Sequence, residues 1–77
     1  METEKRTVIV NGRPRLTNKR VLDYEDIAGF AGWSPGKRPT VTWYRRGDKN
    51  SGGSLLPGET VRLTGNEMFD VADTANA

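Results

Sequence analysis

Thr7-Val8-Ile9-Val10-Asn11-Gly12-Arg13, followed by Leu22-Asp23-Tyr24-Glu25-Asp26-Ile27, decides the fold. A β-branched run that ends on Asn-Gly predicts a hairpin, because both residues of the dipeptide tolerate positive φ. The returning segment, Arg13–Val21, reads as a second strand with Leu16 and Val21 as its apolar points. Pro14 marks an edge or a bulge near its start. A helix over Leu22–Gly32 comes next. Asp23 is a suitable N-cap, and Asp26 stands where the reciprocal partner of a capping box belongs, although Glu or Gln is the usual residue. Leu22 and Ile27 flank the cap as a hydrophobic staple. Glu25 and Asp26 suit the positive end of the helix dipole. Ile27, Phe30 and Ala31 share one face, and Gly32 ends the helix. Gly29 within it is about 1 kcal/mol worse than Ala, which points to close packing there.

Ser34–Pro39 is a turn-rich crossing. Thr40–Arg46 is the strongest strand in the chain, with Val41, Trp43 and Arg45 on one side and Thr42 and Tyr44 on the other. Gly47–Ser54 reads as a polar loop, and Leu55-Leu56 as an apolar point before a Pro57-Gly58 turn. Thr60–Leu63 and Met68–Val71 are the last two strands. The order β-β-α-β-β-β describes an α+β fold, a mixed sheet packed on one helix. Its core is expected from Val8, Val10, Leu22, Ile27, Phe30, Val41 or Tyr44, Leu56, Val61, Phe69 and Val71. The domain spans residues 7–71, between a flexible N-terminus at 1–6 and a flexible tail at 72–77.

A chain of 77 residues has room for one domain. It contains neither Cys nor His. That excludes disulfides and thiolate zinc sites and removes the usual base near neutral pH. No catalytic residue, metal site or cofactor is therefore assigned, and the chain reads as a non-enzyme. Asp23, Glu25 and Asp26 are accounted for by the helix cap. Gly52-Gly53 precedes no Lys-Ser/Thr pair and is not a phosphate loop. Arg46-Gly47-Asp48 spells an integrin-binding tripeptide by chance. No apolar run approaches the roughly 18 residues of a membrane span, and no apolar signal core follows the charged start. The expected location is the cytoplasm. Charge is uneven: residues 1–49 sum to +5 and residues 50–77 to −3. Such a gradient suits an ordinary solvated surface, and more sharply a basic face that meets an acidic partner.

Four stretches carry a resemblance. They are Val8-Ile9-Val10-Asn11-Gly12-Arg13, the helix start at Leu22–Ile27, Thr40–Gly47 with Gly53–Val61, and Met68–Val71. Together they are similar to the bacterial multiubiquitin family, whose members are ubiquitin-like domains. The resemblance implies a ubiquitin-like β-grasp and a role as a protein modifier. It also implies partners: an ATP-dependent activating enzyme, a conjugating enzyme, and a metallopeptidase that trims or removes the modifier. The reactive group would be the C-terminal carboxylate, and the acceptor a Lys amine or a hydroxyl. Asp73, Thr74, Ala75, Asn76 and Ala77 form the conjugation tail on this reading. The Gly-Gly ending of ubiquitin is missing, which leaves the mature terminus open. Phage defence is a setting suggested by resemblance alone.

Trp43, Arg45 and Arg46 are the candidate partner-binding residues, an aromatic flanked by cations that steer an acidic partner. The alternative is a non-covalent module for protein or nucleic acid. A pI near 9.3 and the run of cations at Arg13, Arg15, Lys19, Arg20, Lys37 and Arg38 favour it, with Trp43 for base stacking. A net charge of only +2 and six aromatics in all weigh against nucleic acid.

Overall fold

The computed structural model describes residues 5–34 and 36–73. They form an α+β fold with one helix on a mixed five-stranded sheet. Strand β1 (Arg6–Val10) turns into β2 (Arg13–Thr17), and β3 (Val21–Asp23) leads into α1 (Tyr24–Phe30). After the crossing come β4 (Thr40–Arg45), β5 (Asp48–Leu55), β6 (Thr60–Arg62) and β7 (Glu67–Ala72). The large sheet has the order β2-β1-β7-β4-β5, and β3 and β6 make a separate pair. Strands β1 and β7 run parallel, and every other pairing is antiparallel.

The hairpin forms where Asn-Gly stands. Asn11 and Gly12 have φ of 53° and 79°, so both central residues of the turn are left-handed, as a two-residue type I′ loop requires. The helix cap also follows the local signal. Asp26 N–H donates to the Asp23 carboxylate at 2.8 Å, and Asp23 N–H donates to the Asp26 carboxylate at 3.1 Å. The Lys19 ammonium reaches the same Asp26 at 2.9 Å. Burial acts to raise the Asp26 pKa, but the Lys19 and Asp23 hydrogen bonds outweigh it and hold the carboxyl low.

The strand expected over Arg13–Val21 is two strands. The Thr17 hydroxyl accepts from Lys19 N–H at 3.1 Å, a side-chain bond that takes the backbone out of the ladder. Its expected apolar points face outward, Leu16 at 63% exposure and Val21 at 44%. The helix is shorter than Leu22–Gly32, beginning at Tyr24 and ending at Phe30. The stretch Gly47–Ser54, expected as a loop, is mostly strand β5, which pairs with β4. Its Ser-Gly-Gly-Ser composition has no strand propensity of its own; the partner strand imposes the conformation.

Between Trp43 and Arg45 the β4–β5 register shifts. The Ser51 hydroxyl accepts from Arg45 N–H at 2.8 Å and donates to the Asp48 carbonyl at 2.7 Å. A side chain thus completes the ladder that the bulge interrupts. Gly52 is required here, since a Cβ would sit 2.0 Å from the Trp43 carbonyl oxygen. Gly29, by contrast, is exposed with open space around a built Cβ, so the expected close packing is absent.

The core lies between α1 and the large sheet, closed below by β3 and β6. Val8, Val10, Leu22, Ile27, Val41, Val61, Phe69 and Val71 are buried as expected, and Tyr24, Leu55 and Leu63 join them. Leu55 replaces Leu56 in the core because it stands opposite Val41, while Leu56 is 58% exposed. Phe30 is half-buried against the edge of the cluster. Among the described residues, no helix is long and apolar enough to cross a membrane.

Candidate functional site

Strand β4 carries the three residues singled out as a binding surface, and the pleat separates them. Trp43 stands opposite Phe69 of β7, on the helix side of the sheet with Val41. It is half-buried, with its ring 6.4 Å from that of Phe69 at 31°. Arg45 follows on the same side, with its guanidinium 5.0 Å from the centre of the Trp43 ring. Its Nε lies 3.3 Å from the Glu67 carboxylate, and an Nη donates to the Arg62 carbonyl at 3.4 Å. Arg46 is exposed, and its N–H donates to the Asn66 carbonyl at 2.7 Å. It borders a hollow of about 160 Å³ with Thr7, Ile9 and Met68, on the face away from the helix.

Glu67 explains why Arg45 is held. Its side chain is fully buried. It accepts from Thr64 N–H at 2.9 Å, from the Thr64 hydroxyl at 2.7 Å and from Gly65 N–H at 3.0 Å. Burial acts to raise its pKa, but the Thr64 and Gly65 hydrogen bonds prevail and hold the carboxyl below its ordinary value. Arg45 shields this anion from one side while covering Trp43 on the other. Its charge is therefore partly committed inside the fold, whereas that of Arg46 faces solvent.

The face away from the helix presents Ile9, Tyr44 and Met68, all half-buried, between the more polar Thr7, Thr42 and Asp70. The aromatic on this face is Tyr44 rather than Trp43. At the end of the sheet, Thr40 pairs with Ala72, so the close of β7 lies beside the start of β4. A cavity of about 220 Å³ opens at that end, lined by Tyr24, Pro39, Val41, Leu55 and Leu56. Tyr24 is anchored at its rim by a hydrogen bond from its hydroxyl to the Pro39 carbonyl, and burial raises its pKa.

Of the expected tail, Asp73 is exposed, while Thr74, Ala75, Asn76 and Ala77 lie outside the described residues. No three His, Cys, Asp or Glu side chains come together to hold a metal among the described residues. The described groups offer binding surfaces: one apolar-centred sheet face, one cavity near the start of β4, and the cationic end of β4 at Arg45 and Arg46.

No family model, curated protein or solved structure matches this chain. Two features of these surfaces escape a reading of composition. Glu67 is one, although its phase with Phe69 and Val71 along the last strand is the signal that places it inward. Leu56 is the other, and only the register of β5 on β4 distinguishes it from Leu55.

Proposed function

We propose that the fold is a ubiquitin-like β-grasp and that the chain serves as a protein modifier. The observation that carries the reading is the placing of the first and last strands. β1 and β7 lie side by side and parallel in the sheet interior, the helix crosses one face, and an antiparallel strand flanks each on its other side, β2 beside β1 and β4 beside β7. This geometry anchors the last strand on both edges. A tail leaving Ala72 would start from a rigid platform, as a carboxylate that must reach another enzyme's active site requires. The similarity of the four sequence stretches to multiubiquitin domains supports the same reading.

The chemistry would belong to the partners. An activating enzyme would join the terminal carboxylate to the α-phosphate of ATP, with release of pyrophosphate. An enzyme thiolate would then displace AMP to form a thioester, and a target amine or hydroxyl would displace the thiol. The modifier's own contribution is recognition. The exposed Leu56 at the cavity beside the start of β4 and the Ile9–Tyr44–Met68 face, with Arg46 at its edge, are the surfaces for it.

The test is a pyrophosphate-exchange assay with the cognate activating enzyme, followed by mass spectrometry of the products. The full chain or a trimmed form should yield an adenylate and then a covalent enzyme adduct. A chain lacking Thr74–Ala77 should stay folded and fail to transfer. Equal transfer by the shortened chain would remove the tail from the mechanism.

A further inference from the structure

Strand β2 forms one edge of the large sheet. The two-residue turn makes Val10–Arg13 the first hydrogen-bonded pair, so alternation turns the main-chain groups of Pro14 and Leu16 away from β1. Arg13 and Arg15 stand opposite Val10 and Val8. Directly opposed residues share a face, so both arginines rise on the helix side. Between them and α1 run two hollows of about 330 Å³ each. Phe30 of α1 borders both, so the two hollows adjoin and the groove they form together has an apolar residue on its helix side. One end is lined by Arg13 and Arg15, the other by Lys5 and Lys19. Leu16 borders one end through its place on β2, while its position opposite Thr7 turns its side chain to the other face of the sheet.

The charges within the groove do not cancel. Lys19 is paired with Asp26 at 2.9 Å, and that aspartate is the one acidic residue of the lining. Lys5, Arg13 and Arg15 form no ion pair with any described residue. Among the described residues, three cations without an ion-pair partner therefore border these hollows beside an open strand edge. We propose that this groove binds an extended acidic segment of a partner protein, added as a strand along β2. Its acidic side chains meet Arg13, Arg15 and Lys5, and one apolar side chain rests on Phe30. Pro14 has no N–H to offer, so pairing runs through the Leu16 N–H and the Leu16 and Pro14 carbonyls. Few ladder bonds make the charges decisive, and the complex is weak and salt-sensitive. A nucleic-acid strand fits less well, because the lining holds a single aromatic, the half-buried Phe30, where a single strand needs successive stacking platforms. The groove involves neither the tail nor any conjugating enzyme, so its occupancy is independent of the modifier reading.

The experiment uses the full chain and a fluorescein-labelled peptide, Asp-Glu-Val-Thr-Val-Thr-Asp-Glu, with anisotropy read at low and high salt. Expected are micromolar binding at low salt, loss of affinity as salt rises, and weakening by at least ~10-fold in the double variant Arg13→Glu/Arg15→Glu. Arg62→Glu, on β6, should bind as the parent does. On the parent chain itself, amide NMR should place the largest peptide-induced shifts at Leu16, Thr17 and Phe30, whatever the folding of the variants. Absence of binding at low salt, shifts confined to the face bearing Tyr44 and Met68, or tighter binding of a single-stranded oligothymidylate than of the peptide would each overturn the proposal.

Discussion

Asn11 and Val71 are joined by a pair of hydrogen bonds. The Asn11 amide donates to the Val71 carbonyl at 3.1 Å and accepts from Val71 N–H at 2.8 Å. Asn11 N–H adds a bond to the Phe69 carbonyl at 2.9 Å. The side chain thus extends the parallel ladder of β1 and β7 beyond the last residue of β1, and the residue that makes the turn also secures the final strand. Asn11→Ala should cost about 1–3 kcal/mol, because a part-buried Val71 N–H loses its acceptor and Ala is strained at positive φ. Asn11→Asp keeps the acceptor and should lose less. Equilibrium urea unfolding of both variants checks the order; equal loss in the two would deny the amide its bridging role.

Glu67 predicts a pH dependence. Its folded pKa lies below the ordinary value near 4.5, so between the two values the unfolded chain binds more protons than the folded one. Stability rises with pH in that window. The contribution is complete above the ordinary value and is lost as pH falls through the folded one. Glu67→Gln places an amide N–H₂ against donors from Thr64 and Gly65 and should cost about 1–3 kcal/mol at neutral pH. The gap between variant and parent should narrow as the solution is acidified. Urea midpoints measured from neutral pH down to acid would show it, and a gap independent of pH would rule out the carboxylate as its source.

Local signals were legible in the chain and registers were not. Asn11-Gly12 and the Asp23/Asp26 cap act within four residues of themselves, and both stand as their chemistry requires. The alternation that groups Val41, Trp43 and Arg45 also holds, since it needs only the pleat. The strand at Ser51-Gly52-Gly53-Ser54 was invisible because its conformation comes from β4, not from its own side chains. Leu55 and Leu56 are chemically identical, so only pairing with Val41 could choose between them. Of the candidate site, the positions of Trp43 and Arg45 on a shared face could be read. Their commitment to Phe69 and Glu67 could not, because it depends on a strand more than twenty residues downstream.

Three glycines should respond differently to Ala. At Gly52 a Cβ meets the Trp43 carbonyl oxygen at 2.0 Å, a backbone atom that moves only if β4 moves, so Gly52→Ala should cost about 1–3 kcal/mol or more. Gly53, one residue on, has open space around a Cβ and should tolerate Ala with little change. Gly29→Ala should stabilise by about 0.5–1 kcal/mol, since the position is helical, exposed and unobstructed. Thermal unfolding of the three single variants separates them. A destabilising Gly29→Ala would mean that something packs closely on that helix after all.

Arg45 and Arg46 should separate stability from recognition. Arg45 lies over Trp43 and beside buried Glu67, so Arg45→Glu sets a second anion against the first and removes the cover from the indole. It should destabilise by about 1–3 kcal/mol. Arg46 contributes to the fold through its main-chain N–H, which any residue but Pro supplies. Arg46→Glu should therefore leave the unfolding midpoint within about 0.5 kcal/mol of the parent. If the face of Ile9, Tyr44 and Met68 meets an acidic surface on an activating enzyme, the same substitution should slow association and flatten its salt dependence. Stopped-flow association at two ionic strengths, run beside denaturant unfolding, reads both quantities on one sample. A large loss of stability from Arg46→Glu would show that its side chain is structural. Unchanged association kinetics with an intact fold would instead move the partner surface away from this end of β4.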